Sequence, residues 1–192
     1  MRATIILVML AALVAPAFAS EPTTALLIID IQDFYFPGGK MPLVGPEAAA
    51  ANAGKILAAF RAEGKPVIHV RHESESGGSI HASVAPVEGE KVFTKTEVSC
   101  FNGTQVLAYL REIGVERLVI FGMQTHMCLE AATRAAHDLG FECVVIGDAC
   151  ATRDLEYGGR TVPAADVHAS TLATLDRIYA KVVDTETFLS GE

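Results

Sequence analysis

"RLVIFGMQTHMCLEAATRAAHDLGFECVVIGD", residues 117–148, decides the fold class of this chain. It begins with an apolar run, continues with helix-forming residues over 128–140, and ends in a second apolar run over 142–148. Continuous apolar runs of this length are typical of strands that are buried on both faces of a sheet. A strand, a helix and a second strand in succession predict a βαβ unit with parallel strands.

The same alternation extends in both directions from this stretch. The remaining predicted strands cover 25–30, 66–70, 91–95 and 181–189, the last of them with a tail, and the remaining predicted helices cover 46–64, 103–114 and 164–180. Strands that alternate with helices in this way form a parallel sheet with helices on both faces. We therefore predict an α/β fold with a mostly parallel sheet.

Length, composition and charge limit the class of protein. A chain of 192 residues, 51% of them hydrophobic, is long enough to bury a core and fits one globular domain. Its formal net charge of −8 and the absence of any Lys/Arg run argue against a nucleic-acid partner, which requires clustered positive charge.

The first twenty residues, "MRATIILVMLAALVAPAFAS", have the pattern of a secretory signal peptide. Arg2 is followed by an apolar run over 5–14 and by the small-residue cleavage motif Ala17-Phe18-Ala19. The run is shorter than the ~20 residues that a membrane-spanning helix needs. We expect cleavage after Ala19, a single mature domain over 20–192 that is periplasmic or secreted, and no membrane association after cleavage.

Chemically active side chains follow several of the predicted strands. They are Asp30, His72, Glu73, Lys95, Cys128 and Asp148. In parallel sheets, the carboxyl ends of the strands meet at one edge, and active sites form there. The sequence therefore predicts a site at this edge that contains an acid, a base and a thiol.

Cys128 has three interpretations: a nucleophile, half of a disulfide, or a small buried residue. Placed at the start of the predicted helix over 128–140, its thiolate would be favoured by free backbone N–H groups and by the helix dipole. Lys95 would add positive charge, and Asp30 would accept the thiol proton. Each residue alone is more typical of a structural role, and these physical arguments leave the alternatives open.

Disulfide bonds are a separate question for an exported chain with four cysteines. If Cys128 is a nucleophile, at most one bridge can form among Cys100, Cys143 and Cys150. An extended run from Cys143 to Cys150 spans ~23 Å, whereas a disulfide requires Cα atoms within ~7 Å. Our working hypothesis is that all four thiols are free.

Four segments together carry a resemblance to a known family. They are "LLIIDIQDFYFPGGK", "VFTKTEVSCFNGT", "VIFGMQTHMCLEAATRAAHDLGF" and "VVIGDACATRD". The mature chain resembles the isochorismatase-like cysteine hydrolases over nearly its whole length. This resemblance implies a three-layer α/β/α fold of Rossmann-like topology, assembled as a homodimer or homotetramer.

The resemblance also implies a mechanism. The family's catalytic triad falls on Asp30, Lys95 and Cys128, with the backbone N–H groups of Gln124 and Cys128 as the oxyanion hole. A cis peptide bond is implied between Met123 and Gln124. Because Cys128 is present, the implied reaction is hydrolysis of a non-peptide C–N bond, of the amide type, in a small molecule through an acyl-enzyme.

We predict further substrate contacts from Phe36, His72, Glu73 and Tyr157. No metal or other cofactor is expected, because the stretch where nicotinamidases of this family carry an Asp-x-His metal motif has none here. His69 and His72 are three residues apart near a strand end, so their side chains point to opposite faces.

Two other functions are compatible with the sequence. A vinyl-ether hydrolase of isochorismatase type would use Asp30 and Lys95 without the thiol. An exported small-molecule binding protein would use the same side chains only to line a cleft. Alkylation of the thiol distinguishes the three functions, because it abolishes turnover only if Cys128 is the nucleophile.

Overall fold

The computed structural model describes residues 23–191, so the predicted leader and its cleavage position lie outside the described residues. The strands are β1 (Thr24–Ile29), β2 (Val67–His72), β3 (Lys91–Lys95), β4 (Arg117–Gly122), β5 (Glu142–Ile146), β6 (Leu155–Tyr157), β7 (Arg160–Val162) and β8 (Lys181–Val183). The α-helices are α1 (Pro46–Ala62), α2 (Val106–Glu112), α3 (Glu130–Asp138), α4 (Ala164–Leu175) and α5 (Thr185–Ser190).

The central sheet has six strands in the order β3-β2-β1-β4-β5-β8, and every neighbouring pair is parallel. The chain first builds outward from β1 to β2 and β3, then returns to place β4 on the other side of β1. The strand order thus reverses between β1 and β4, and such a switch point opens a crevice at the carboxyl ends of the strands. The predicted parallel α/β fold is confirmed.

Helices cover both faces of this sheet and make the fold three-layered. On one face α1 packs against α5, where the rings of Phe60 and Phe188 stack with centroids 6.2 Å apart. On the other face α3 packs against α4. The guanidinium of Arg111 on α2 joins this second layer, since it lies 4.5 Å from the ring centroid of Phe141, which follows α3. Within residues 23–191, no helix is both long and apolar enough to cross a membrane.

The core is centred on β1, whose residues Ala25–Ile29 are at most 1% exposed. This burial explains the unbroken apolar run in the sequence, because both faces of the strand meet helices. The strand ends at the charged residue Asp30, which is equally buried. The most buried strand therefore leads directly into the candidate site.

The C-terminal third departs most from the sequence prediction. A two-stranded antiparallel hairpin of β6 and β7 lies outside the main sheet and is largely exposed. The predicted strand and tail over 181–189 divides into β8 and α5, because the side chain of Asp184 caps the helix by accepting a hydrogen bond from the Thr187 N–H. Helix α4 ends at Leu175, five residues before the predicted end at 180.

Candidate active site

Gly122 brings the end of β4 into close contact with β1. It pairs with Ile29 and has a φ of +146°, and a Cβ at this position would lie 1.9 Å from the Ile29 carbonyl oxygen. Only glycine fits so near a backbone. The next residue, Met123, donates its N–H to the same carbonyl at 2.9 Å. The chain leaving β4 is thereby held beside Asp30.

Asp30 adopts an uncommon backbone conformation directly after β1. Its φ is +49°, in the left-handed region, which Asp tolerates better than most residues. Its N–H donates to the Val70 carbonyl at 2.9 Å, which ties this turn to β2. Non-glycine residues in this region cluster at functional sites. The turn is thus fixed by a neighbouring strand, although its conformation is unfavourable for a side chain.

Cys128 lies in a wide π-helical turn, Thr125–Leu129, that precedes α3. The Leu129 N–H closes this turn on the Gln124 carbonyl at 3.3 Å. The prediction that Cys128 opens the α-helix is wrong, because α3 begins only at Glu130. The Met123–Gln124 peptide bond that leads into the turn is cis, as the family resemblance implied.

Two histidine–threonine contacts hold this turn against the rest of the fold. The Thr125 hydroxyl lies 2.9 Å from Nδ1 of His168 on α4. Nδ1 of His126 lies 2.6 Å from the Thr152 hydroxyl, which follows β5. His126 belongs to the same turn as Cys128, and its ring is held by Thr152.

Lys95 is the centre of the polar cluster at the sheet edge. Its Nζ lies 2.7 Å from Oδ2 of Asp30 and donates to Sγ of Cys128 at 3.2 Å. It also donates to the Glu97 carbonyl oxygen at 3.1 Å and to Nδ1 of His72 at 3.1 Å. The structure thus brings together the acid, the base and the thiol that the sequence placed at the ends of separate strands.

His72 lies against Lys95 at the edge of the sheet. An ammonium group has only donors, so Nδ1 of His72 is the acceptor in their hydrogen bond. β2 and β3 are in register at His72 and Lys95, which places the two side chains next to each other at the sheet edge.

The environment of Cys128 keeps its thiol protonated. Burial and the negative charge of Asp30 raise the pKa of Cys128 to about 12, and the positive charge of Lys95 opposes this effect only in part. The sequence predicts that the start of a helix stabilises the Cys128 thiolate. This prediction is wrong, because the sulfur is buried and lies in the turn before the helix.

The carboxyl and the ammonium affect each other strongly. Burial raises the pKa of Asp30, and the opposing charge of Lys95 does not fully cancel this effect. For Lys95, burial lowers the pKa, but the negative charge of Asp30 and the hydrogen bonds to Asp30 and Cys128 outweigh this effect, so the net shift is upward. Oδ1 of Asp30 has no hydrogen-bond partner within residues 23–191. Asp30 is therefore a buried carboxyl group with an increased affinity for a proton.

A cavity of about 330 Å³ leads down to Cys128. The exposed surface of its walls is mostly apolar, although the lining includes several polar and charged side chains. The lining residues are Phe34, Tyr35, Lys40, Met41, His72, Glu73, Ser74, Val98, Gln124, Met127, Cys128 and Arg153. A concave, mostly apolar cavity with a few convergent polar groups is typical of a small-molecule site.

Two of the four predicted substrate-contact residues, His72 and Glu73, line this cavity, and the other two lie elsewhere. Phe36 packs in the core with its ring stacked on His81 at 3.7 Å between centroids. Tyr157 is 85% exposed on the hairpin of β6 and β7. The prediction of Phe36 and Tyr157 as contacts is therefore not supported by their positions.

Sequence reasoning missed most of the cavity wall, including the polar side chains of Tyr35, Lys40, Gln124 and Arg153. Tyr35 is adjacent to Phe36, but the short 3-10 turn Asp33–Tyr35 directs the tyrosine rather than the phenylalanine into the cavity. Arg153 follows the polar turn after β5, and its charge near a predicted strand end was the one signal available.

The remaining predicted features of the edge have structural roles. The carboxylate of Asp148 accepts hydrogen bonds from Thr185 and Asn52, so it joins α1 to the start of α5. The four cysteines are free and buried. Within the described part of the chain, no three His, Cys, Asp or Glu side chains are grouped so that they could hold a metal ion.

Comparisons with known proteins agree with this fold. Residues 24–187 match the family model described as the isochorismatase domain. An uncharacterised isochorismatase family protein of Bacillus subtilis, YddQ, is 46% identical over 87% of this chain and 99% of its own. A crystal structure described as an isochorismatase hydrolase from Oleispira antarctica is 47% identical, with a TM-score of 0.86 over 91% of this chain and 100% of its own. The maleamate amidohydrolase of Pseudomonas putida is 27% identical over 86% of this chain and 84% of its own.

Proposed function

Since the chain belongs to the isochorismatase family of hydrolases, we propose that it cleaves a non-peptide C–N bond, of the amide type, in a small molecule through a thioester on Cys128. One observation carries this proposal: the Lys95 ammonium contacts both the Asp30 carboxylate and the Cys128 sulfur at the base of the cavity. The similarity to the maleamate amidohydrolase of Pseudomonas putida supports the choice of bond.

Before substrate binds, the cluster contains one carboxylate, one ammonium and one neutral thiol. The raised pKa of Cys128, about 12, keeps the thiol protonated at neutral pH. Transfer of its proton to Asp30 leaves the total charge of the buried cluster unchanged, so it adds no net charge to the low-dielectric site. Asp30, whose pKa burial raises, is suited to accept that proton as the sulfur attacks.

The thiolate sulfur then forms a bond with the carbonyl carbon of the substrate, and the carbonyl oxygen becomes an oxyanion. In our proposal the backbone N–H groups of Gln124 and Cys128 donate to this oxyanion. Asp30 returns its proton to the departing nitrogen as the C–N bond breaks. A water molecule, deprotonated by Asp30, next attacks the thioester carbon, and the acid product and the Cys128 thiol are released. Lys95 stabilises the negative sulfur and orients Asp30 throughout.

The experiment that tests this proposal combines a substrate screen with a trap for the intermediate. Amides, lactams and carbamoyl compounds are screened for ammonia or amine release, and the best substrate is quenched with acid during turnover. We expect intact-protein mass spectrometry to show one acyl group, and peptide mapping to place it on Cys128. Cys143 is the control, because its buried thiol donates to the Phe141 carbonyl and does not line this cavity.

Other outcomes would contradict the proposal in distinct ways. Turnover without a covalent adduct, retained after complete alkylation of Cys128, would favour the vinyl-ether hydrolase. Saturable binding of small molecules without turnover of any of them would favour the exported binding protein.

A further inference from the structure

The cavity above Cys128 carries a net positive charge in a protein whose formal net charge is −8. Its lining includes the cations Lys40 and Arg153 and only one carboxylate, Glu73, apart from the catalytic cluster. Within that cluster Lys95 offsets Asp30. The lining therefore has one positive charge in excess, although the chain as a whole is acidic.

Arg153 is held in the cavity wall by an amide rather than by a carboxylate. Its Nε donates to Oε1 of Gln124 at 3.2 Å. The Gln124 amide nitrogen points the other way, toward Sδ of Met41 at 3.1 Å and the Tyr35 hydroxyl at 3.5 Å. The glutamine is buried, so its orientation is fixed. The Gln124 amide accepts one N–H of the Arg153 guanidinium and neutralises none of the positive charge of that group.

Two acidic residues outside the cavity lining, Asp154 and Glu130, have partners of their own. The Asp154 carboxylate accepts a hydrogen bond from the Ala164 N–H and so caps α4. Glu130 forms an ion pair with Arg134 at 2.8 Å. Among the described residues, no ion pair or hydrogen bond involves the two terminal nitrogens of Arg153. These N–H groups can therefore bind an anion that enters the cavity.

The Tyr35 hydroxyl is a second donor on the same wall. Because the Gln124 amide donates to its oxygen, the hydroxyl proton of Tyr35 is available to another acceptor. Burial raises the pKa of Tyr35, so the hydroxyl stays neutral and acts as a donor. The Arg153–Gln124–Tyr35 chain thus presents a cationic fork and an O–H group to the cavity that holds Cys128.

We propose that Arg153 and Tyr35 form a carboxylate subsite, so that the substrate is a small amide that also carries a carboxylate group. The second part of this proposal, that the substrate is an amide, rests on the proposed amide hydrolysis. A carboxylate matches the planar guanidinium and carries a single charge, equal to the excess positive charge of the lining. A cavity of about 330 Å³ accommodates only a small molecule of this kind. Glu73, at the exposed rim, would repel a second anionic group.

The subsite can be tested without turnover, by the charge preference of alkylation at Cys128. Iodoacetate and iodoacetamide have the same leaving group and nearly the same size, but only iodoacetate carries a carboxylate. The ratio of their rates at Cys128 is measured by peptide mass spectrometry in the wild type and in Arg153→Gln. We expect this ratio to fall about tenfold or more in the variant, as for the loss of a charge-assisted hydrogen bond.

Three further variants serve as controls. Lys95 attracts iodoacetate in every variant, so its contribution cancels when ratios are compared. Arg134→Gln removes an arginine that pairs with Glu130 outside the cavity, and it should leave the ratio unchanged. Tyr35→Phe should lower the ratio less than Arg153→Gln does. Arg153→Lys retains the charge and should give an intermediate ratio, which also covers the case in which Arg153→Gln misfolds.

A substrate pair tests the same subsite during turnover. Succinamate and succinamide differ only in that a carboxylate replaces a neutral carboxamide. We expect kcat/KM for succinamate to exceed that for succinamide at least tenfold, and this preference to be lost in Arg153→Gln.

The two measurements separate the subsite from the reaction. Amide hydrolysis with no charge preference, and an alkylation ratio unchanged by Arg153→Gln, would overturn the subsite and leave the reaction intact. A charge-dependent alkylation ratio without hydrolysis of any amide would overturn the reaction and leave the subsite intact.

Discussion

At the scale of single residues, the proposed reaction depends on the position of one proton between Cys128 and Asp30. Both groups are buried, and burial raises the pKa of each. The Lys95 ammonium contacts both, so it stabilises the cluster whichever of the two has lost the proton. Nδ1 of His72 and the Glu97 carbonyl oxygen each lie 3.1 Å from the same Nζ, so four groups surround an ammonium that has three N–H donors.

Replacement of Cys128 by Ala should abolish amide hydrolysis and leave the fold intact. The alanine side chain is smaller than that of cysteine and fits the buried position, whereas the loss of a covalent nucleophile costs several orders of magnitude in kcat. The measurements are ammonia release and thermal unfolding, with Cys143→Ala as the matched removal of a buried thiol outside the cavity. Turnover within tenfold of the wild type in a folded Cys128→Ala protein would exclude the thioester.

The pH dependence of kcat/KM should report the raised pKa of Asp30. The base must be ionised, so activity falls as the pH decreases through that pKa, which lies above the ordinary carboxyl value of 3.8. We expect the acidic limb of the profile to lie above pH 4 and to be absent from the residual activity of Asp30→Asn. An acidic limb at or below pH 3.8 in the wild type would mean that another group acts as the base.

The residues that the sequence placed at strand ends do lie together in the structure. Asp30 follows β1, Lys95 ends β3 and Cys128 lies in the turn after β4, and the parallel sheet brings such positions to one edge. The sequence predicted that Phe36 lines the cavity, whereas Tyr35 does, because one turn of 3-10 helix decides which aromatic ring faces it. Hydrophobic pattern does not encode that rotation.

At the scale of elements, the strands were predicted within two residues at each end over most of the sheet. The apolar runs encode them directly, because a strand covered on both faces needs an apolar side chain at nearly every position. The hairpin of β6 and β7 and the turn Thr125–Leu129 were missed. Both are short, and their conformation is set by contacts with other parts of the chain, such as the Thr125–His168 pair.

The loop between β2 and β3 is anchored through Glu90. Its carboxylate forms a two-point contact with Arg61 on α1 at 2.7 and 2.8 Å, and Oε2 lies 2.7 Å from Nε2 of the buried His69 on β2. Burial alone would raise the pKa of Glu90. Hydrogen bonds from Arg61, the Val87 N–H and His69 outweigh this effect and lower that pKa to about 2. One carboxylate therefore joins the loop to a helix and to a strand.

Glu90→Gln should lower the free energy of unfolding at pH 7 by about 2 kcal/mol. Because the pKa of Glu90 is about 2 in the folded state and 4.5 without these contacts, the stabilisation is complete above pH 4.5 and is lost as the pH falls toward 2. Urea unfolding at pH 7 and pH 3 should therefore show a smaller difference between variant and wild type at the lower pH. The exposed Glu88, on the same loop, gives the control Glu88→Gln.

A difference that is equal at pH 7 and pH 3 would mean that the Glu90→Gln substitution destabilises the fold by shape and not by charge. A Glu88→Gln effect as large as that of Glu90→Gln would assign the loss to the overall charge of the loop and not to the contact with Arg61.

At the scale of the whole molecule, the site and the start of the described chain lie at opposite edges of the sheet. The cavity opens at the carboxyl ends of the strands, whereas β1 begins at the amino edge, where Thr24 pairs with Arg117. The Thr23 carbonyl accepts hydrogen bonds from the N–H groups of Glu116 and Arg117. Contacts of the domain therefore extend to residue 23, four positions beyond the predicted cleavage after Ala19.

This arrangement predicts that removal of residues 1–19 leaves both fold and activity unchanged. We expect a chain that starts at Ser20 to match the full chain in thermal unfolding and in kcat/KM, because the cut falls before the first described residue that pairs in the sheet.

We also expect expression of the full chain in a Gram-negative host to yield periplasmic protein whose N-terminal residue, by Edman sequencing, is Ser20. The matched control is Ala17→Arg with Ala19→Arg, which removes the small residues that signal peptidase requires, and its product should retain the leader. Cytoplasmic full-length protein from the unmodified gene, with no cleavage at residue 19, would show that the apolar start of the chain is not an export signal.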